Sequence, residues 1–562
     1  MDDAQHRFGL AGHLPRGLRG EPRPSHPPRF GLMALLVLIA LLPRVAFAAF
    51  WNVLWADSVT YLAAAEALRA GDLQMAFGDL GLNLYPLIVA GFRVAGDNWT
   101  TVGEAWSVFW ATLAILPLYG WVRRQFNDRV ALVACLLYAF QPPLVAFTPL
   151  IIRDATFWFF FNAGLYCIYR AADEASLRWY TLTGFVLVAA VHLRTEGWFL
   201  FVPLVGWSAY RLTHVNRSRL RVVFGVLGAS AVIPLAVTAV NLTVLRDCPR
   251  WEMVRPAHAR VLLGFVGWRS PPKLVNPAAV GESSSAWDDV PLEPTRPATE
   301  TTRKLATRVM KTFTYSYGLM GLLGAVLCWP VYRRSEHVTL LVAAVLLISA
   351  IRMLYARQEI DIRYMLPIVI MALPWMALGV LRSAEFLAGL WKGDGERVRL
   401  QVMCTAVVMA MVIAIGLRDT KLAAAHTMVQ QASLGRWIFD RLGPNSSILG
   451  TLHDGRLVAH YAQGLVIDLR PYRQCACEPL FPFIDRSHPH VILLWRDSDR
   501  PDAWDRYRPL TDRPEALGYV DIPQEHLPAE CTDVRVLLRV DRVAALRPSG
   551  IRTAAEPTSS RR

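Results

Sequence analysis

GLMALLVLIALLPRVAFAAF, residues 31–50, is followed closely by Trp55-Ala56-Asp57-Ser58-Val59-Thr60-Tyr61-Leu62. The first stretch is an apolar run of about the 20 residues needed to cross the hydrocarbon core of a bilayer. It closes on Ala46-Phe47-Ala48, which resembles a signal-peptidase site. The tail before it is long, and the run itself is long enough to span, so it reads as an uncleaved first helix. The second stretch sets a carboxylate just past that helix.

The same pattern recurs outward along the chain. Further apolar runs lie near 102–122, 130–148, 155–171, 179–194, 197–210, 221–244, 313–332, 338–355, 364–381 and 400–417. Together they predict a polytopic all-α membrane protein of about eleven transmembrane helices. The pair 179–194 and 197–210 is separated by Arg194-Thr195-Glu196-Gly197. An Arg and a Glu do not pass cheaply through lipid, so a tight turn at the membrane surface, closing a hairpin, is expected there.

Composition agrees. Of the 562 residues 54% are hydrophobic, and the mean hydropathy is +0.30. A soluble chain of this length would divide into several domains, whereas here the apolar residues gather in runs. The net charge of +14 does not argue for nucleic acid, because most arginines sit in short loops between runs. With the amino terminus inside, the inner loops hold Arg123, Arg124 and Arg129, then Arg170 and Arg178, then Arg211, Arg217, Arg219 and Arg221, then Arg333 and Arg334, then Arg382, Lys392, Arg397 and Arg399. The short outer loops hold far fewer. The positive-inside rule therefore places the carboxy terminus outside. Merging the 179–210 hairpin into one span would invert everything after it.

The expected organisation is a disordered cytoplasmic tail over 1–29, a membrane domain over 30–418 with long outer loops at 51–101 and 245–312, a soluble outer domain over 419–546, and a disordered tail over 547–562. The loop 245–312 is proline-rich and is expected to have little regular structure at its centre. The soluble domain opens with a helix-like stretch, 421–442, stopped by Gly443-Pro444. Short apolar runs at Ser447–Leu449, Leu465–Leu469 and Val491–Trp495 then suggest strands, hence a small C-terminal α/β domain. Cys135, Cys167, Cys328 and Cys404 lie in apolar runs and read as packing residues. Cys248, Cys475, Cys477 and Cys531 fall outside, and a bridge from Cys475 or Cys477 to Cys531 is expected. No C-x-x-C spacing points to a metal.

Charge also gathers in the outer turns. Asp57 and Tyr61 share a helix face, and Asp57 reads either as an N-cap for the helix that follows or as a reacting group. Leu150-Ile151-Ile152-Arg153-Asp154 and the Arg194–Gly197 turn each carry an Arg beside an acid. Arg357-Gln358-Glu359-Ile360-Asp361-Ile362-Arg363 runs into Tyr364-Met365-Leu366-Pro367. Such turns on one face of a bundle can converge on a polar site at the outer surface.

In this order the stretches Ala56-Asp57-Ser58-x-x-Tyr61, Ala67-Leu68-Arg69-x-Gly71-Asp72, Tyr85-Pro86-Leu87, Gln141-Pro142-Pro143, Leu150-Ile151-Ile152-Arg153-Asp154, Leu193-Arg194-Thr195-Glu196-Gly197 and Arg363-Tyr364-Met365-Leu366-Pro367 resemble the GT-C superfamily of membrane glycosyltransferases. The resemblance is to the branch with the protein O-mannosyltransferases and the lipid A aminoarabinose transferase, and it covers roughly residues 30–380. It implies an inverting transferase that takes a sugar from a polyprenyl-phosphate carrier and gives it to a lipid, glycan or protein acceptor on the outer face, with Asp57 as catalytic carboxylate. Many relatives carry two adjacent acids where this chain has Asp57-Ser58, a departure that bears most on a protein acceptor.

The chemistry needs a base for the acceptor hydroxyl and cations for the leaving lipid phosphate, for which the arginine fork is suited. Arg363, Arg194 and Arg153 are the phosphate-binding candidates, and Tyr61, Tyr364, Asp154, Glu196 and Tyr85 the substrate-lining ones. No cofactor is called for. A divalent metal is permitted but not demanded, because a lipid monophosphate carries less charge than a nucleotide-sugar diphosphate. The implied location is a bacterial inner membrane. A polytopic transporter would show repeated halves and broken helices at mid-membrane, and no repeat is visible. A non-catalytic envelope-assembly scaffold is the other alternative.

Overall fold

The computed structural model of the protein describes residues 30–51, 53–78, 83–214, 219–243, 298–328, 362–390, 397–419, 423–450, 452–468, 487–495, 512–531 and 534–543, with isolated positions between 339 and 351 and Ile484. The tail 1–29, the centre of the 245–312 loop, most of the run 338–355, residues 357–361, Cys475, Cys477 and the tail 547–562 lie outside the described residues.

The membrane domain is helical: α1 (Phe30–Phe50), α2 (Ala56–Arg69), α3 (Leu84–Phe92), α4 (Trp99–Leu113), α5 (Ile115–Gln125), α6 (Asp128–Phe140), α7 (Pro142–Ala146), α8 (Asp154–Glu174), α9 (Leu177–Leu193), α10 (Phe201–His214), α11 (Arg219–Thr243), α12 (Ala298–Phe313), α13 (Tyr315–Leu327), α14 (Leu366–Gly389) and α15 (Arg397–Asp419). Among the described residues five helices are long and apolar enough to cross a membrane: Phe30–Phe50, Trp99–Gln125, Arg219–Val240, Arg363–Gly389 and Val398–Leu417. Helix α1 shows how such a helix sorts its faces. Only Leu36, Ala40 and Arg44 are buried, one stripe at a spacing of four. Leu35, Leu38, Leu42 and Val45 stay about half exposed, a surface suited to lipid.

The run expected at 130–148 does not form one helix. Pro142 disfavours the helical region for the residue before it, and Gln141 is extended at φ −66°, ψ 116°. Helix α6 therefore stops at Phe140. The Gln141 amide caps α7 by accepting from Leu144 N at 2.9 Å, and donates to Thr312 O at 3.1 Å. The stop strands carbonyls at the end of α6. The fully buried Arg44 donates to two of them, Ala139 O at 3.3 Å and Tyr138 O at 3.4 Å, and to Ala40 O of its own helix at 2.7 Å. A cation at a helix C-terminus also opposes the negative end of the dipole. The end of the 245–312 segment is helical in α12, and the centre, where little regular structure is expected, lies outside the described residues.

The central helix α14 crosses α13 at small residues. A side chain on Gly324 would strike Trp375 O, and one on Gly379 would strike Met320 O. Such close crossings are the membrane alternative to a hydrophobic driving force, and this one fixes the helix that follows Arg363.

The C-terminal domain consists of α16 (Ala423–Leu442), β1 (Ser447–Gly450), α17 (Leu452–Tyr461), β2 (Leu465–Asp468), β3 (Val491–Trp495), β4 (Tyr519–Asp521) and β5 (Val534–Arg539). Its sheet has the order β2-β1-β3-β5-β4, parallel among β2, β1 and β3 and antiparallel across β5 and β4. Strand β3 is buried on both faces, which is why it reads as an unbroken apolar run. Leu434 and Ile438 of α16 pack on one face with Val491 and Leu493, while Ile492 and Leu494 face a second layer. The expected bridge to Cys531 is corrected: Cys531 is a free, buried thiol whose Sγ donates to Gln430 O at 3.4 Å. Burial pushes that thiol up to about 11.

Candidate functional site

Asp57 does not cap its helix. Trp55 holds the N-cap position of α2, at φ −85° and ψ 152°, with no side-chain cap. Asp57 lies in the first turn, where a negative charge suits the dipole, and its Oδ2 accepts from Arg363 Nη1 at 2.6 Å. Arg363 comes from a 3-10 turn, Ile362–Met365, just ahead of α14. Its guanidinium carbon lies 5.4 Å from the Trp55 ring centroid, a cation–π distance. Trp55 is a site residue that sequence reasoning passed over, and nothing in its local pattern marks it.

A second charge group lies deeper. Arg194 is extended, at φ −148° and ψ 144°, where α9 ends. It donates to Asp154, the first residue of α8, and its Nη2 donates to Glu196 Oε1 at 2.5 Å. The three side chains are only 1–3% exposed. The backbone path depends on Gly197: a Cβ there would lie 2.5 Å from Ala190 C. That close approach folds Glu196 back onto Arg194. Gly197→Ala is accordingly expected to cost about 1–3 kcal/mol from overpacking, read as a fall in unfolding midpoint. An unchanged midpoint would remove this account of the turn.

Tyr364, beside Arg363, points to the deeper group: its ring centroid is 5.2 Å from the Arg194 guanidinium carbon. Tyr61 lies between the groups. Its ring meets Tyr85 edge-on at 5.0 Å, and Arg153 stands 5.9 Å from its centroid. Burial pushes the Tyr61 phenol up to about 12, with Arg153 opposing, and burial raises Tyr85 further. Both phenols therefore stay protonated at neutral pH. The Tyr61 hydroxyl is within electrostatic reach of Arg153, Asp57, Asp154 and Arg194, and Asp154 is within reach of Arg194, Arg363, Arg153 and Glu196.

The structure thus gathers every sequence-predicted site residue around one position: Asp57, Tyr61, Tyr85, Arg153, Asp154, Arg194, Glu196, Arg363 and Tyr364. The roles they can take differ. Of the three carboxylates, only Asp57 is reachable, with its side chain 30% exposed. Arg194 has its donors occupied by Asp154 and Glu196. Arg153 is half-buried and, among the described residues, makes no ion pair with a carboxylate. No group of three or more His, Cys, Asp or Glu able to hold a metal occurs among the described residues. In chemical terms, a reachable carboxylate is paired to one arginine, a second arginine forms no ion pair among the described residues, and a third is held between two buried acids.

Residues 85–243 match the family described as dolichyl-phosphate-mannose-protein mannosyltransferase. The crystal structure of ArnT from Cupriavidus metallidurans in the apo state is similar, with a TM-score of 0.51 at 11% identity over 91% of this chain and 98% of that one. The structure of ArnT bound to undecaprenyl phosphate gives 0.50 at 12% identity with the same coverage. The Archaeoglobus fulgidus oligosaccharyltransferase in the apo form gives 0.49 at 11% identity, over 87% of this chain and 70% of that one. No curated protein matches the chain by sequence.

Proposed function

We propose that this chain, an integral membrane protein of the GT-C superfamily of glycosyltransferases, transfers one sugar from a polyprenyl-phosphate donor to an acceptor hydroxyl with inversion at the anomeric carbon. The observation that carries the reading is the 2.6 Å pair between Asp57 and Arg363, open to solvent on the Asp57 side. Asp57 takes the acceptor proton as the new bond to the anomeric carbon forms. The bond from that carbon to the phosphate oxygen breaks, and the lipid phosphate leaves with the electron pair. One displacement, with no protein nucleophile, inverts the centre.

The pair has two states in this scheme. The arriving lipid phosphate competes for Arg363, and Arg153, which forms no ion pair with a carboxylate among the described residues, supplies a second cation. Drawing Arg363 toward phosphate leaves the Asp57 carboxylate less paired, and so a better base. Arg194, locked between two acids, shapes the floor on which Tyr61 and Tyr364 rest. Arginines held in place before the reaction lower the barrier without reorganising during it. The basic inner loops support an outer-face site, opposite the amino terminus, and a bacterial inner membrane remains part of the proposal. Lipid, glycan and protein acceptors all satisfy this chemistry.

The test uses the full chain in detergent micelles with undecaprenyl phosphate as probe. Near-saturating probe is expected to raise the unfolding midpoint by several degrees, since ligand at about 100 times Kd stabilises by about 2.7 kcal/mol, whereas undecaprenol is expected to leave it unmoved. Arg153→Ala and Arg363→Ala are each expected to remove most of the rise. No rise in the wild type, together with no turnover of any member of a panel of polyprenyl-phosphate hexoses and pentoses, would overturn the proposal in favour of transport or scaffolding.

A further inference from the structure

We propose that the C-terminal domain clamps the helix that bears Asp57, and that Arg456 and Tyr461 of α17 are positioning residues for the transfer. The inference rests on the reading of Asp57 as the base and extends it by giving the soluble domain a part in placing that base.

Two side-chain bonds bracket Asp57. The Tyr461 hydroxyl accepts from Leu54 N at 3.0 Å, three residues before it, and Arg456 Nη1 donates to Thr60 Oγ1 at 2.9 Å, three residues after it. The Leu54 amide precedes the first turn of α2, so the helix itself offers it no partner. Helix α17 is firmly held from behind. Gly435 of α16 lets the two helices meet so closely that a Cβ there would lie 2.5 Å from Val458 O and 2.6 Å from the Tyr461 Cβ. The Arg436 guanidinium carbon stands 5.1 Å from the Tyr461 ring centroid.

The need for such a clamp follows from the chemistry. Helix α2 has 14 residues and is not among the helices long and apolar enough to cross a membrane, so it is not anchored by spanning the bilayer. At rest the Arg363 bond orders its first turn. That bond must loosen when phosphate draws Arg363 away, at the step when the base has to stay within hydrogen-bond reach of the acceptor. The contacts from α17 do not involve Arg363 and survive its departure. A displacement of about 1 Å in a reacting group can cost about 10²-fold in rate, which gives the clamp its leverage.

Hydrogen exchange on the full chain in nanodiscs tests this without any sugar. In the Arg456→Met/Tyr461→Phe double variant, amides 54–60 are expected to exchange about tenfold faster, while amides of α14 keep wild-type rates. Thr60→Val, which leaves the C-terminal domain untouched, is expected to speed exchange in the same segment. Adding undecaprenyl phosphate is expected to widen the difference between variant and wild type. With the undecaprenyl-phosphate-linked sugar that the wild type consumes, kcat is expected to fall about tenfold at unchanged KM, and Arg456→Lys, which keeps a donor, is expected to recover most of it. Unchanged exchange over 54–60, or faster exchange with unchanged kcat, overturns the clamp. A fully active Asp57→Asn variant would instead remove the function on which the clamp acts, and because the exchange readout needs no turnover the two failures are distinguishable.

Discussion

Asp57→Asn is expected to lower transfer by about 10²–10⁴-fold, the range general bases supply, while the protein stays folded. Asparagine has nearly the same shape and still offers Arg363 a carbonyl oxygen at the position where Oδ2 now accepts. What it lacks is a lone pair basic enough to take a proton. The stability cost is small, because an ion pair with a 30% exposed carboxylate contributes about 0–1 kcal/mol once solvent screening is counted. Rate and stability should therefore separate cleanly. Single-turnover transfer at saturating donor measures the rate, and the unfolding midpoint measures the fold. A variant within about threefold of the wild-type rate would show that proton removal is not done by this residue.

Arg194→Met should behave in the opposite way, as a folding defect before it is a catalytic one. Asp154 and Glu196 are 1–2% exposed and share this one cation. Removing it leaves two buried carboxylates without their direct ion-pair partner, and breaking a buried pair costs about 3–5 kcal/mol because the remaining charge is poorly compensated. The control is the triple variant Arg194→Met/Asp154→Leu/Glu196→Leu. It removes all three charges, and apolar replacement of a whole buried ion group is often neutral. The expected result is a single variant far less stable than the wild type and a triple variant that regains most of the loss, both measured by detergent-induced unfolding. If the single variant lies within about 1 kcal/mol of the wild type, the floor of the site does not depend on charge balance.

The two results depend on a difference that only the folded chain reveals. The apolar runs could be read because a bilayer forces each backbone to satisfy itself within a helix, leaving a run of about 20 apolar residues as its trace. The charged turns could be read as a set, because acids and arginines at the same ends of successive spans have few other reasons to be there. Their pairing could not. Asp57 and Arg363 are 306 residues apart, and nothing local chooses Arg363 for Asp57 and Arg194 for Asp154. The N-cap reading of Asp57 failed because α2 starts at Ala56 with Trp55 at the N-cap, which places Asp57 inside the first turn. Arg44 did carry a legible signal, a cation inside an apolar run. Strands β1, β2 and β3 were legible as apolar runs. Strand β5 was not, because Arg535 and Arg539 interrupt it, Arg535 pairing instead with Asp521 of β4 at 2.6 Å.

Arg44 also has a consequence for biogenesis. The carbonyls of Tyr138 and Ala139 that receive it belong to a segment synthesised 94 and 95 residues later, so the first helix reaches the translocon with a cation whose lasting partners do not yet exist. The bond to Ala40 within its own turn is the one it can form at once. Complete integration of the amino-terminal segment is thereby coupled to arrival of the α6 segment. A released chain truncated before residue 138 should hold its first helix loosely in the bilayer, and one that extends through α6 and α7 should hold it firmly.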